Sequence, residues 1–154
     1  MITATTTVDF IATSVAAGLL GAIGMEVAMW LITREGWAKA NMLVAVGSFI
    51  TRTRENAFRV GVVIHAISAF LFAMVYAWVM IKFGMTHLPN SIFAGTGIGI
   101  VHGLVVSLML VWVVSDEHPL AEFQEAGFAV GLSHFAGHVV YGAFVGLAVG
   151  LSPL

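Results

Sequence analysis

Apolar residues run along this chain in four long stretches, near 9–33, 57–82, 91–114 and 126–151, separated by shorter polar segments. Each stretch is long enough to cross a hydrocarbon core about 30 Å thick. At ~1.5 Å rise per residue, some 24 residues span about 36 Å, which predicts tilt or protrusion. Four isolated strands cannot close a barrel in lipid, so the stretches read as helices. The expected architecture is an all-α integral membrane protein: an antiparallel four-helix bundle forming a single membrane domain over 1–154. Between the first two spans, Trp37 to Asn56 has an apolar middle (Met42 to Val46) and ends carrying Lys39, Arg52, Arg54 and Glu55. It is too short to span and reads as an amphipathic or re-entrant interfacial segment. The second connection, Phe83 to Asn90, contains Pro89, and the third, Ser115 to Glu125, is acidic without Lys or Arg.

Composition supports the membrane reading. Only 9% of residues are charged and 60% are hydrophobic, against roughly 25% charged in soluble domains. A mean hydropathy of +1.02 agrees. A net charge of -2 with no basic run argues against nucleic-acid binding. The absence of cysteine excludes disulfides, thiolate metal sites, thiol catalysis and iron–sulfur clusters. The opening Met1 to Thr7 has no positive n-region and does not read as a cleaved signal peptide. Arg34, Lys39, Arg52, Arg54 and Arg59 cluster at the first connection, with Lys82 alone near the second. Basic residues are retained on the cytoplasmic side, so the first and third connections are expected there and both termini outside.

Glycine spacing predicts how the helices meet. Gly95, Gly99 and Gly103 repeat at four-residue intervals in the third span, as do Gly142, Gly146 and Gly150 in the fourth; Gly18, Gly21 and Gly24 thin one side of the first. Such small residues let backbones approach closely in lipid, within the chain or against another subunit.

Ionisable groups inside the spans carry the candidate chemistry. Glu26 lies in the first span, His65 in the second, His102 in the third, and His134 and His138 in the fourth. Such groups are costly in lipid and normally face the bundle interior, a partner or water. Helical geometry puts Glu26, His65 and His134 roughly 10–12 Å from the cytoplasmic end and His102 and His138 roughly 18 Å from it, as two layers. His134 and His138 are one turn apart on one face. Imidazoles with a carboxylate suit iron, copper or zinc, and two histidines from facing helices suit haem b. The competing reading is a set of interhelical hydrogen bonds to Ser68, Ser107, Ser133, Tyr141 or carbonyls. No Glu-x-x-His pair of the ferritin-like type is present.

Glu117, His118, Glu122 and Glu125 form an acidic mouth able to attract cations, or simply a solvated loop in which Glu122 and Glu125 begin the fourth helix. His87 reads as an exposed turn residue. Trp30, Trp37, Trp78 and Trp112 read as interfacial anchors. Met25 and Met29 suit a soft metal or ordinary packing.

A His early in the second span, Gly99-Ile100-Val101-His102-Gly103, His118-Pro119 and His138-Val139-Val140-Tyr141-Gly142 together resemble a family of small bacterial four-span membrane proteins of unknown function, over roughly residues 45 to 147. The Val46 to Arg52 segment is similar too, whereas Glu26 and His134 fall outside that pattern. The resemblance implies a bacterial inner membrane and names no activity. Three function classes stay open. One is a transition-metal or haem-binding redox protein. Another is an accessory subunit packed against other membrane subunits or a second copy. The third is a proton or cation path lined by Glu26 and the histidines. The chain alone does not read as an enzyme: no nucleophile elbow or zincin motif occurs. Four short helices also leave little room for alternating access.

Overall fold

The computed structural model describes residues 6–38, 41–125 and 127–154. Lys39, the opening segment through Thr5, and the expected start of the fourth span at 126 lie outside them. The chain is all-helical, with four long apolar helices packed together: α1 (Thr7–Arg34), α3 (Ala57–Lys82), α4 (Asn90–Met109) and α7 (Phe128–Gly150). The first three spans match the expected boundaries within about two residues at their starts. α4 runs on through a π-helical turn, Leu110–Val114, into a short α5 (Ser115–Glu117).

Local chemistry sets the ends. Thr6 and Asp9 form a reciprocal capping box at the start of α1. Gly36 follows α1 at φ +76° and Gly84 follows α3 at φ +65°, left-handed positions that glycine adopts without strain. Trp30 and Trp78, near the ends of α1 and α3, lie under Arg34 and Lys82 at 5.2 and 5.1 Å. Each ring is thereby matched to a cation at the level where a span leaves lipid.

The helices follow the order α4, α7, α1, α3, with α7 central and every neighbouring pair antiparallel. Glycines set the closest approaches. A Cβ on Gly95 would collide with the Gly142 carbonyl, and one on Gly142 with the Gly95 carbonyl. Gly99 faces the backbone of His138, and Gly146 faces that of Ser91. Both four-residue glycine repeats are therefore turned toward each other within one chain. Gly21 and Gly24 of α1 make room for the rings of Tyr141 and Phe144 of α7.

The segment between α1 and α3 is a helix, α2 (Met42–Thr51), laid along the first turns of α3. Gly47 meets the Ala57 carbonyl and Gly61 meets that of Leu43, so backbone packs on backbone. The acidic third connection holds a separate short helix, α6 (Ala121–Gln124). Glu122 lies in α6 and Glu125 just beyond it, so neither stands in the first turn of α7, which begins at Phe128. Gly127 stands at the N-cap of α7 with extended backbone.

Candidate functional site

Three of the intramembrane histidines, His102, His134 and His138, gather on α7 and its contact with α4. His102 of α4 and His138 of α7 stand edge to face with ring centroids 4.6 Å apart. Gly99 and Gly103, flanking His102 by one turn or less, lie against the backbone of Phe135 and His138 and so let the two helices close. Phe72 stacks against His102 at 4.1 Å, and the Tyr76 hydroxyl shares a 3.1 Å hydrogen bond with His102 Nδ1. Tyr76 packs edge to face on Tyr141, whose hydroxyl donates to the Ala69 carbonyl at 2.5 Å. Buried tyrosines are expected to find such partners.

His134 and His138 are each held by the turn before them. His134 Nδ1–H donates to the Val130 carbonyl at 2.9 Å, and His138 Nδ1–H donates to the His134 carbonyl at 2.7 Å. A carbonyl only accepts, so both rings carry their proton on Nδ1 when neutral and present Nε2 as a lone pair. His134 Nε2 is buried without a hydrogen-bond partner in a side chain only 3% exposed. His138 touches the His102 ring and hydrogen-bonds to the His134 backbone, so it contacts both neighbours. It is the hub of the cluster.

A cavity of about 830 Å³ opens at the end of the bundle that bears Arg54. Arg54, Glu122 and Glu125 stand among its lining, and His134 is the lining residue that lies furthest along α7. Arg54 closes a two-pronged ion pair on Glu122 at 2.7 and 2.5 Å, tying the first connection to the third. That carboxylate holds the guanidinium above its ordinary range.

His118, on the wall, is 1% exposed. Its Nε2–H donates to the Ala45 carbonyl at 3.0 Å while its Nδ1 accepts from the Leu120 backbone at 3.1 Å. Both nitrogens are used in joining α2 to the third connection, and its ring packs between Phe49 and Phe123. Glu117 and Glu125 are exposed.

Glu26 and His65 lie apart from this column, in a second cleft of about 400 Å³ between α1 and α3. They stand 3.5 Å apart without a hydrogen bond between them. Both are eight residues from a helix end, Arg34 and Ala57, hence about 12 Å deep. The same count puts His134 about 9 Å and His138 about 15 Å from Phe128, and His102 about 15 Å from Trp112. His102 and His138 share a depth; Glu26 and His65 share a shallower one. His87 is exposed at the opposite end. Met25 and Met29 pack on Gly137.

Neither metal expectation finds a full donor set. No cluster of three or more His, Asp or Glu able to hold a metal occurs among the described residues. A haem held by both His102 and His138 needs the rings on opposite sides of the porphyrin, with centroids roughly 6 Å apart. At 4.6 Å there is no room for the macrocycle.

Tyr76 was legible only indirectly. It follows Phe72 by one turn on the face of α3 that meets His102, yet a tyrosine in an apolar span reads as packing until its partner is known.

No protein-family model, no curated protein and no solved structure matches this chain. Its class rests on its own four long apolar helices: a small four-span membrane protein whose spans contact the lipid bilayer.

Proposed function

We propose that the chain is a membrane subunit that takes protons from the aqueous phase to the middle of the bilayer, through the cavity and the His134–His138–His102 column. The observation that carries this reading is His134 Nε2, a buried base without a hydrogen-bond partner, on a residue that lines a cavity of about 830 Å³ whose mouth bears Arg54, Glu122 and Glu125. The His138 ring follows one turn deeper on the same face of α7, its Nδ1–H held by the His134 backbone carbonyl, and His102 lies against it. A chain of titratable groups on the bundle interior is how membrane proteins move protons. The basic first connection supports reading the cavity as open to the cytoplasmic side, with both termini outside, in what we take to be a bacterial inner membrane.

Beyond His102 and Tyr76, α4 and α7 close on each other through Gly95, Gly142 and Gly146. A proton arriving at the column needs an acceptor from elsewhere. This supports an accessory role beside other membrane subunits, the chain acting as one membrane domain. A resident transition metal is favoured less, because two imidazoles fill only two of four tetrahedral positions.

Single-cysteine accessibility tests the reading without background, since the chain has no cysteine. His134→Cys reacts with a cationic, membrane-impermeant thiol reagent from the Arg54 side only. Gly97→Cys, facing away from the other helices, stays inert. An inert His134→Cys in a folded protein, or equal reaction from the opposite side, overturns the reading.

A further inference from the structure

The third connection supplies Ser115, His118, Glu122, Phe123 and Glu125 to the lining of the large cavity, and α2 supplies Met42 and Ala45. Among the helices, α6 packs mainly on α5, so side chains are left to fix it against the first connection. Two polar ties do so. The Arg54–Glu122 pair is exposed, and such pairs hold weakly. The His118 imidazole, by contrast, is 1% exposed and packs between Phe49 of α2 and Phe123 of α6.

The seat of this ring accepts one charge state. Nε2–H donates to the Ala45 carbonyl, and Nδ1 accepts from the Leu120 N–H. A proton added to Nδ1 meets that N–H donor to donor, so the tie belongs to the neutral imidazole. The Leu120 N–H then loses its acceptor, and a charge stands between two phenyl rings. Backbone groups occupy both ring nitrogens, so no carboxylate holds either of them. α2 brings no titratable side chain to the ring, since Met42–Thr51 contains none. From the connection, Glu117 is exposed and Glu122 is engaged by Arg54; Glu125 and His134 complete the ionisable lining of the cavity.

We infer that His118 is a pH-sensitive latch: proton uptake releases the third connection from α2 and widens the mouth of the cavity, and proton loss closes it. The closed form holds the neutral ring. Closure is therefore favoured at higher pH and is lost as the pH falls through the range in which imidazoles charge. Carboxylates ordinarily titrate near 4, below that range, so the Arg54–Glu122 pair is not what responds. Acidification on the Arg54 side opens the way to His134. That consequence for proton entry rests on the proposed column; the latch itself does not.

The test uses the full chain in lipid nanodiscs with a single cysteine, Ser115→Cys, at a 4% exposed position of the cavity wall three residues before His118. Its reaction with a membrane-impermeant thiol reagent is divided, at each pH, by that of the exposed Thr53→Cys, which cancels the titration of the thiol itself. The ratio is expected to rise by about tenfold between about pH 7.5 and 5.5, where a one-proton link gives at most about tenfold per unit. His118→Gln, which cannot charge, loses this pH response whatever its basal rate. Glu122→Gln and His134→Phe keep it. In the unsubstituted protein, hydrogen exchange at the Leu120 amide, corrected for its intrinsic pH dependence, speeds up over the same interval. A flat ratio, a His118→Gln protein that keeps the response, or a Leu120 amide indifferent to acid overturns the latch. A pH-dependent ratio alongside an inert His134→Cys upholds the latch and sinks the column, so the two failures are told apart.

Discussion

His102 and His138 face each other edge to face at 4.6 Å between ring centroids, across the α4–α7 interface where backbone lies on backbone. Each has one ring nitrogen engaged with its own side of the bundle, His102 with Tyr76 and His138 with the preceding turn. The glycines therefore do more than pack helices. They bring two imidazoles from different spans to one depth.

Tyr76→Phe tests the engagement of His102. Losing one partly buried hydroxyl is expected to cost about 1 kcal/mol of stability. It also frees His102 Nδ1, so the His102 imidazole ¹⁵N signals shift while those of His87 stay in place. Unshifted His102 signals would contradict the hydrogen bond.

Glycine substitution tests the interface. Gly142→Ala drives a methyl into the Gly95 carbonyl, which cannot move without separating α4 from α7. A loss of about 1–3 kcal/mol is expected by steric-trapping or detergent-unfolding measurements. Gly97→Ala meets nothing within 4 Å and is expected to be neutral or stabilising by up to about 1 kcal/mol. Equal effects of the two would show that the helices do not close on this face.

The Arg54–Glu122 pair is solvent-exposed, with side chains 66% and 42% open. Glu122→Ala is expected to change stability by less than about 1 kcal/mol. His118→Ala is expected to cost more, about 1–3 kcal/mol, because it leaves the Ala45 carbonyl and the Leu120 N–H without their buried partner. Melting curves of the two variants in one detergent decide the order.

Metal analysis separates the column from a metal centre. Purified protein is expected to carry iron, copper and zinc well below one equivalent and to show no Soret band, and chelator treatment leaves its melting temperature unchanged. One equivalent of metal, lost in His138→Ala, would move the account to a metal site.

The spans were readable because crossing lipid demands long apolar runs, and α3 begins and ends at the expected Ala57 and Lys82. The glycine repeats announced close packing without naming the partner. Spans that are apolar on every side carry no stripe to show which neighbour each one faces. The docking of α2 on α3 through Gly47 and Gly61 depends on two isolated glycines in different elements, which form no repeat. His118 looked like an acidic-mouth residue, and only the fold reveals that the Ala45 carbonyl lies above it. Depth arithmetic brought His102 and His138 to one level. It also put His134 in the layer of Glu26 and His65, whereas the structure separates them into two clefts. Depth along the membrane normal follows from sequence position; the direction around the bundle does not.

The central claim is that a proton reaches His138 by way of His134. Solid-state NMR of protein with ¹⁵N-labelled histidine, in vesicles of controlled pH, tests it most directly. The account predicts that the His134 and His138 imidazole signals respond to aqueous pH in wild type, and that His134→Phe abolishes the His138 response while the fold is kept. A His138 that titrates unchanged in His134→Phe, or two rings that stay silent over the whole range in which the wild type remains folded, would contradict it.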